Sequence, residues 1–293
     1  MIFLQIFICL AALYVFLMHP RIRRADSSPF LGTFFAHRGL HDNNHQIPEN
    51  SLAAFQRAVD AGYGIELDVQ LSADRTPVVF HDATLGRMCG INRRVNELTF
   101  AELRQLSLVN TKEHIPSFQE ALALVNGKVP LLVELKMEHL DFDIPREADA
   151  LLSEYSGDYC IESFHPAALY WYRKNRPQIF RGQLSTNFNI ENHSLSPFQY
   201  LFGKMILNFI SRPDFISYNL LFQRDISLKL AHGLFHAPAP PGFFARKRNW
   251  SSVRSSFVCI FLKIFYQSKN NRTNTLMKPS DKLLQFLQPL QVR

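Results

Sequence analysis

FFAHRGLHDNNHQIPENSLAAF, residues Phe34–Phe55, decides how the chain is read. It opens apolar, as a strand does, and stops abruptly at His37-Arg38-Gly39. It then crosses a polar loop and starts a helix at Pro48-Glu49-Asn50-Ser51. Gly39 frees the backbone to turn. Asn50 or Ser51 caps the helix Ser51–Ala61, whose Leu52, Phe55 and Val59 share one face. A core strand that ends on an imidazole and a guanidinium places charge where the chain turns, and that pattern recurs.

Further strand-like runs are Gly64–Leu71, Pro77–Phe80, Pro130–Leu135, Tyr159–Phe164, Ile179–Leu184 and Asp214–Tyr218, with Leu31–Ala36 as the first. Helical patterns between them cover Thr99–Leu106, Ser117–Val125, Pro145–Tyr155, Pro166–Lys174 and Pro197–Phe209. Thr99 and Glu102 have capping-box spacing. Alternating strands and helices predict an α/β fold with a mostly parallel sheet, open or closed into a (β/α)₈ barrel. Polar residues gather at strand ends: His37-Arg38, Glu66 and Asp68, His81-Asp82, Glu134 and Lys136, Ser163 and His165. In a parallel fold those ends share one side, where barrel enzymes carry their sites. Glycine-rich nucleotide loops are absent from the sequence.

In Glu66-Leu67-Asp68 the two carboxylates fall on one strand face. Two acids pointing into one interior repel and are costly to bury unpaired. A hard divalent cation such as Ca²⁺ or Mg²⁺ resolves this, with Glu134 as a third oxygen ligand; a charge network of the acids with Lys136 and Arg38 is the alternative. His37 and His81 flank the acidic strand and suit a general acid/base pair. Arg38 and Lys136 suit a phosphate group. Glu49 orients Arg38, approaches the metal, or serves as an acid at a helix N-terminus. His41, His45, His114, His139 and His193 lie in polar loops and carry no assignment.

The ordered set HRG, PENS, ELDVQL, PVVFHD, NELTF, IPSFQEAL and VELK resembles the glycerophosphodiester phosphodiesterase family, of the bacterial, membrane-anchored type. It is sharp over Phe34–Lys136 and fades towards Tyr218. The resemblance implies a TIM barrel. It also implies metal-dependent hydrolysis of glycerophosphodiesters to sn-glycerol 3-phosphate and an alcohol. Carried over by motif, His37 and His81 are the catalytic pair, Glu66, Asp68 and Glu134 the metal ligands, and Arg38 and Lys136 the phosphate-holding pair, with Glu49 peripheral. Ser51 stands where the family more often has Thr. The mechanism implied is attack by the substrate's own glycerol hydroxyl, then opening of the cyclic phosphate by water. Alternatives are a phospholipase-type enzyme on lysolipids or phosphoinositides, and a defective barrel that only binds phosphate. A glycosidase would use two carboxylates without a histidine pair.

The ends differ from this body. Ile2–Met18 is apolar apart from Gln5, and Arg21, Arg23 and Arg24 follow it. Charge after rather than before the apolar run argues against a cleaved signal. Residues 1–24 are therefore expected to form a single-pass membrane anchor with the catalytic domain, 30–237, on the cytoplasmic side. Four dispersed cysteines fit reduced thiols. The net charge is +7, yet Pro238–Arg293 holds ten of the 32 Lys/Arg and one of the 25 Asp/Glu. The remainder is slightly acidic, which excludes a nucleic-acid surface on the body. After Ala237 the family's last strands have no counterpart: PAPPGFFARKRNW begins a basic tail, 238–293. One explanation is a shift of reading frame near Ala237. The barrel is therefore expected to be incomplete at its C-terminal strands, with open edges. The expected partners are the glycerophosphodiester or lysophospholipid substrate and the membrane.

Overall fold

The structure, a computed structural model, describes residues 1–22, 25–42, 46–137, 140–187, 200–201, 203–218, 225–235 and 258–260. The tail 238–293, except Val258–Ile260, lies outside them, as do Arg23 and Arg24. A compact unit spans Met1–Lys263. Its order is α1 (Ile2–Met18), β1 (Phe34–Ala36), α2 (Leu52–Asp60), β2 (Gly64–Leu71), β3 (Pro77–Val79) and α3 (Gly86–Cys89). There follow α4 (Phe100–Leu103), α5 (Phe118–Val125), β4 (Leu131–Leu135), α6 (Asp143–Leu152), β5 (Tyr159–Ser163) and α7 (Pro166–Asn175). The last elements are β6 (Arg181–Ser185), α8 (Asn208–Ser211), β7 (Phe215–Tyr218), α9 (Ile226–Phe235) and β8 (Val258–Ile260).

Six parallel strands run β7-β6-β5-β4-β2-β1, and β8 lies antiparallel on the outer edge of β1. This is a curled half-barrel flanked by helices, incomplete on its C-terminal side as the sequence leads one to expect. Among the described residues no ladder joins β7 to β8.

Strand alternation builds both sides of the wall. Ile65, Leu67 and Val69 of β2, Val133 of β4 and Ile161 of β5 face the helices and pack with Phe55, Phe118 and Leu169. The opposite set points inward. Its lower layer is an apolar floor of Phe35, Leu132, Cys160 and Phe215 with Phe30 and Phe180. Phe180 stacks on Phe215 at 4.9 Å between centroids. A Cβ on Gly182 would stand 2.1 Å from the Phe215 ring, so only glycine leaves room for that floor. The next residues up the same face are Glu66, Asp68, Glu134, Glu162 and Ser217. One alternation thus gives floor and site.

Two expectations need correction. Pro77–Phe80 reads as one more strand of a mostly parallel sheet, but β3 pairs antiparallel with β2, Val69 opposite Val79. Ser72–Thr76 reverses the chain, and β3 carries it back towards the mouth. Phe80 N donates to Asp68 O at 2.9 Å, so His81 reaches the mouth by a hairpin return. Residues beyond it form a cap with a core of its own, including Val78, Phe80, Leu85, Met88, Leu103 and Ile115.

The second concerns the expected single-pass anchor. Among the described residues no helix is long and apolar enough to cross a membrane. At 17 residues, α1 is about 26 Å long, against about 30 Å of hydrocarbon. Its last turn is also used on the protein. Met18 is buried with Met205, Ile216 and Ala231, and Tyr14 Oη donates to Ser227 Oγ at 3.0 Å.

Candidate active site

Three acids meet at the mouth. Glu66 and Asp68 stand on β2, and the β2–β4 register places Glu134 beside Asp68. Each can offer an oxygen within 4.8 Å of the other two, and all three residues are buried. Lys136 Nζ bridges Asp68 Oδ1 at 2.9 Å and Glu134 Oε1 at 2.7 Å. Those two oxygens are buried, and the ammonium is their polar partner. Three buried carboxylates around one ammonium leave surplus negative charge on hard oxygen ligands, so the donor set fits a divalent cation.

The electrostatics follow from that crowding. Burial, then the charges of Asp68 and Glu134, push the Glu66 carboxyl well above its usual range. Burial lifts Glu134 to about 8, despite Lys136. Burial also works to raise Asp68, but Lys136, His81 and Arg38 outweigh it and hold it low. A positive charge among these acids relieves the repulsion.

Arg38 sits where β1 turns, in a left-handed conformation with φ 56°. Its backbone N–H donates to Glu66 Oε2 at 2.7 Å, which supports that uncommon geometry. Gly39 follows at φ +80°, and a Cβ there would stand 2.9 Å from both Ala54 Cβ and Phe55 Cδ1. Turn and helix contact both require glycine. Arg38 Nη1 donates to Glu49 Oε1 at 2.7 Å, and Nε lies 3.5 Å from Asp68 Oδ2. Burial would raise Glu49, but its contacts with Arg87 and Arg38 hold it at about 2. His37 Nε2 stands 4.0 Å from Glu66 Oε2. Burial, then Arg38, lower its pKa to about 4. His81 Nδ1 is 2.6 Å from Asp82 Oδ1.

All eight residues singled out in the sequence therefore come to one mouth. A cavity of about 210 Å³ opens beside them, lined in part by His81, Glu134, Lys136, Phe164 and His165. His165 Nδ1 accepts from Ala167 N and caps α7. Ser163 also lines the cavity, and its Oγ donates to Leu135 O at 2.7 Å.

Four other residues take part. Asn50 caps no helix, a role that Ser51 takes; its Nδ2 donates to Asp68 Oδ2 at 2.7 Å. Glu162, beside Glu134 in the β4–β5 register, accepts from Ser217 Oγ at 2.7 Å. Burial lifts it to about 7. Two-residue alternation back from Phe164 would have found it. Asp82 and Arg87 complete a chain of ion pairs that runs from His81 to Glu49 and Arg38.

Comparison with known proteins places this geometry. Residues 37–224 match the glycerophosphoryl diester phosphodiesterase family. A glycerophosphodiester phosphodiesterase of Caldanaerobacter subterraneus is 31% identical over 185 residues, 56% of this chain and 75% of its own. The Bacillus subtilis relative YhdW is 33% identical over 153 residues, 49% of this chain. The chain spans only 62% of that relative's length. A solved phosphodiesterase of Oleispira antarctica, in complex with its product sn-glycerol-3-phosphate, is similar at TM-score 0.55 and 27% identity, over 69% of this chain and 82% of that one. The family match covers well over half of the sequence, and this chain belongs to the glycerophosphoryl diester phosphodiesterase family.

Proposed function

We propose that this chain hydrolyses glycerophosphodiesters to sn-glycerol 3-phosphate and an alcohol. The observation that carries the reading is the meeting of Glu66, Asp68 and Glu134 with Arg38, Lys136, His37 and His81 at one mouth. Family membership and the product bound by the Oleispira relative support it.

Glu66, Asp68 and Glu134 would hold a divalent cation, Ca²⁺ or Mg²⁺, which when bound supplies positive charge to phosphate oxygens. Arg38 and Lys136 hold the phosphate group from the protein side. One histidine takes the proton of the substrate's glycerol hydroxyl as that oxygen attacks phosphorus. The other protonates the alcohol oxygen as its bond to phosphorus breaks. A cyclic phosphodiester results, and water opens it with the two histidines in exchanged roles. The products are sn-glycerol 3-phosphate and the free alcohol.

Each histidine can be tested by replacement. His37→Ala and His81→Ala should each lower turnover of glycerophosphocholine by about 10²–10⁴-fold. Near-normal release of sn-glycerol 3-phosphate by both variants would sink the assignment.

A lysophospholipid substrate is the second reading, and α1 favours it. Phe3 is 89% and Phe7 68% exposed on an apolar helix, a surface suited to lipid. We place the chain at a membrane surface on that ground. Flotation with phosphatidylglycerol vesicles tests this. The full chain should float, and a Phe3→Asp/Phe7→Asp variant should not. A variant that floats equally well would remove α1 from the account.

A further inference from the structure

Arg87 lies on α3, in the cap, and belongs to none of the motifs read from the sequence. It grips two carboxylates at once. Nε donates to Asp82 Oδ2 at 2.6 Å and Nη2 to Asp82 Oδ1 at 3.1 Å. Nη1 donates to Glu49 Oε2 at 3.0 Å and Nη2 to Glu49 Oε1 at 2.7 Å. Nη1 also points at Met88 Sδ, 3.2 Å away. Five donated contacts account for the five N–H groups of a guanidinium, so none remains for a substrate phosphate.

Each carboxylate in turn holds a residue of the mouth. Asp82 Oδ1 is 2.6 Å from His81 Nδ1, and Glu49 Oε1 accepts from Arg38 Nη1 at 2.7 Å. The series His81–Asp82–Arg87–Glu49–Arg38 alternates hydrogen-bond donor and acceptor along its length. It joins the end of the β3 return to the β1–α2 turn. Lysine could not replace the link, because one ammonium cannot meet two carboxylates edge-on in fixed planes. We propose that Arg87 is a positioning residue that sets, through Asp82 and Glu49, both the ring orientation of His81 and the fork of Arg38.

This inference rests on the reading of His81 and Arg38 given above, and two measurements separate it from that reading. The first is steady-state kinetics of the full chain on glycerophosphocholine. Asp82→Asn should act mainly on kcat and Glu49→Gln mainly on KM. Arg87→Met should move both, kcat falling roughly 10- to 100-fold, the cost of a misplaced group at a reacting centre. Once Arg87 is gone, adding Asp82→Asn should cost little more. The second is the ¹⁵N signal of His81, which does not depend on turnover. Asp82 holds the neutral ring in its Nδ1–H form, and Arg87→Met should shift it towards a mixture of tautomers.

If Arg87→Met does not fold, Arg87→Lys carries the same two readouts and should recover less than half of the lost kcat. A folded Arg87 variant with an unchanged His81 signal overturns the proposal, even where His81→Ala has abolished activity. So does a variant in which only thermal stability falls while kcat and KM hold. An unaltered rate in His81→Ala overturns the catalytic reading instead, whatever the His81 signal does on loss of Arg87.

Discussion

The mouth of this half-barrel and its C-terminal side are built to different ends. At the mouth, β2 and β4 are hydrogen-bonded on both flanks, and their inward positions carry carboxylates that repel one another. On the C-terminal side, β7 pairs with β6 alone among the described strands, and β8 lies antiparallel on β1. There the lower inward position is apolar, with Phe215 stacked on Phe180, and Ser217 above it is polar. The mouth sacrifices stability for chemistry and relies on a rigid frame; the other side supplies packing and, among the described strands, ends in an edge. Stability and activity should therefore respond separately to substitutions in the two regions.

Glu66→Gln breaks the comparison from the mouth side and has the largest expected effect. Turnover should fall by about 10²–10³-fold, as on loss of a group that stabilises transition-state charge. Thermal stability of the cation-free protein should rise, and more so as pH increases, because the amide avoids the cost of ionising this buried, repelled carboxyl. Loss of both activity and stability would show that Glu66 also supports the fold.

Phe215→Ala is the counterpart. Removing a fully buried ring costs about 3–5 kcal/mol, seen as a lower denaturant midpoint. Turnover per folded molecule should be kept. If activity falls further than the folded fraction, the two regions are one mechanical unit.

Glu162→Gln sharpens the boundary between them. The folded carboxyl titrates at about 7, against an ordinary value near 4.3 in the unfolded chain. Its burial therefore costs nothing below pH 4, and the cost grows until pH 7 and then levels off. The variant should gain on the order of 3 kcal/mol at pH 8 and nothing at pH 4. Equal effects at both pH values in urea melts would contradict the assignment. Ser51→Ala has the smallest effect. Ser51 Oγ accepts from Ala54 N and caps α2, so about 1 kcal/mol should be lost with little change in rate.

Much of this was legible in the sequence because it depends on alternation. ELDVQL and VELK put their acids on one strand face, whatever follows, and HRG with PENS marks a turn into a capped helix. Other features arise from pairing and packing. Nothing local to Pro77–Phe80 distinguishes a parallel strand from the antiparallel return that places His81. Glu162 gains its meaning only from the register with Glu134. Arg87 reads as an ordinary helix cation until the cap folds over and brings Glu49 and Asp82 to it. The apolar run at the N-terminus is readable as apolar, but where its helix stops depends on Met18 and Tyr14 finding the protein.

The central claim is that the mouth is a cation-dependent phosphodiester site. Hydrolysis of glycerophosphocholine by the full chain, followed by ³¹P NMR with and without Ca²⁺ or Mg²⁺, tests it most directly. The account predicts the signal of sn-glycerol 3-phosphate with cation present and none after chelation. Undiminished hydrolysis in chelator, or cleavage that yields phosphocholine, would contradict it.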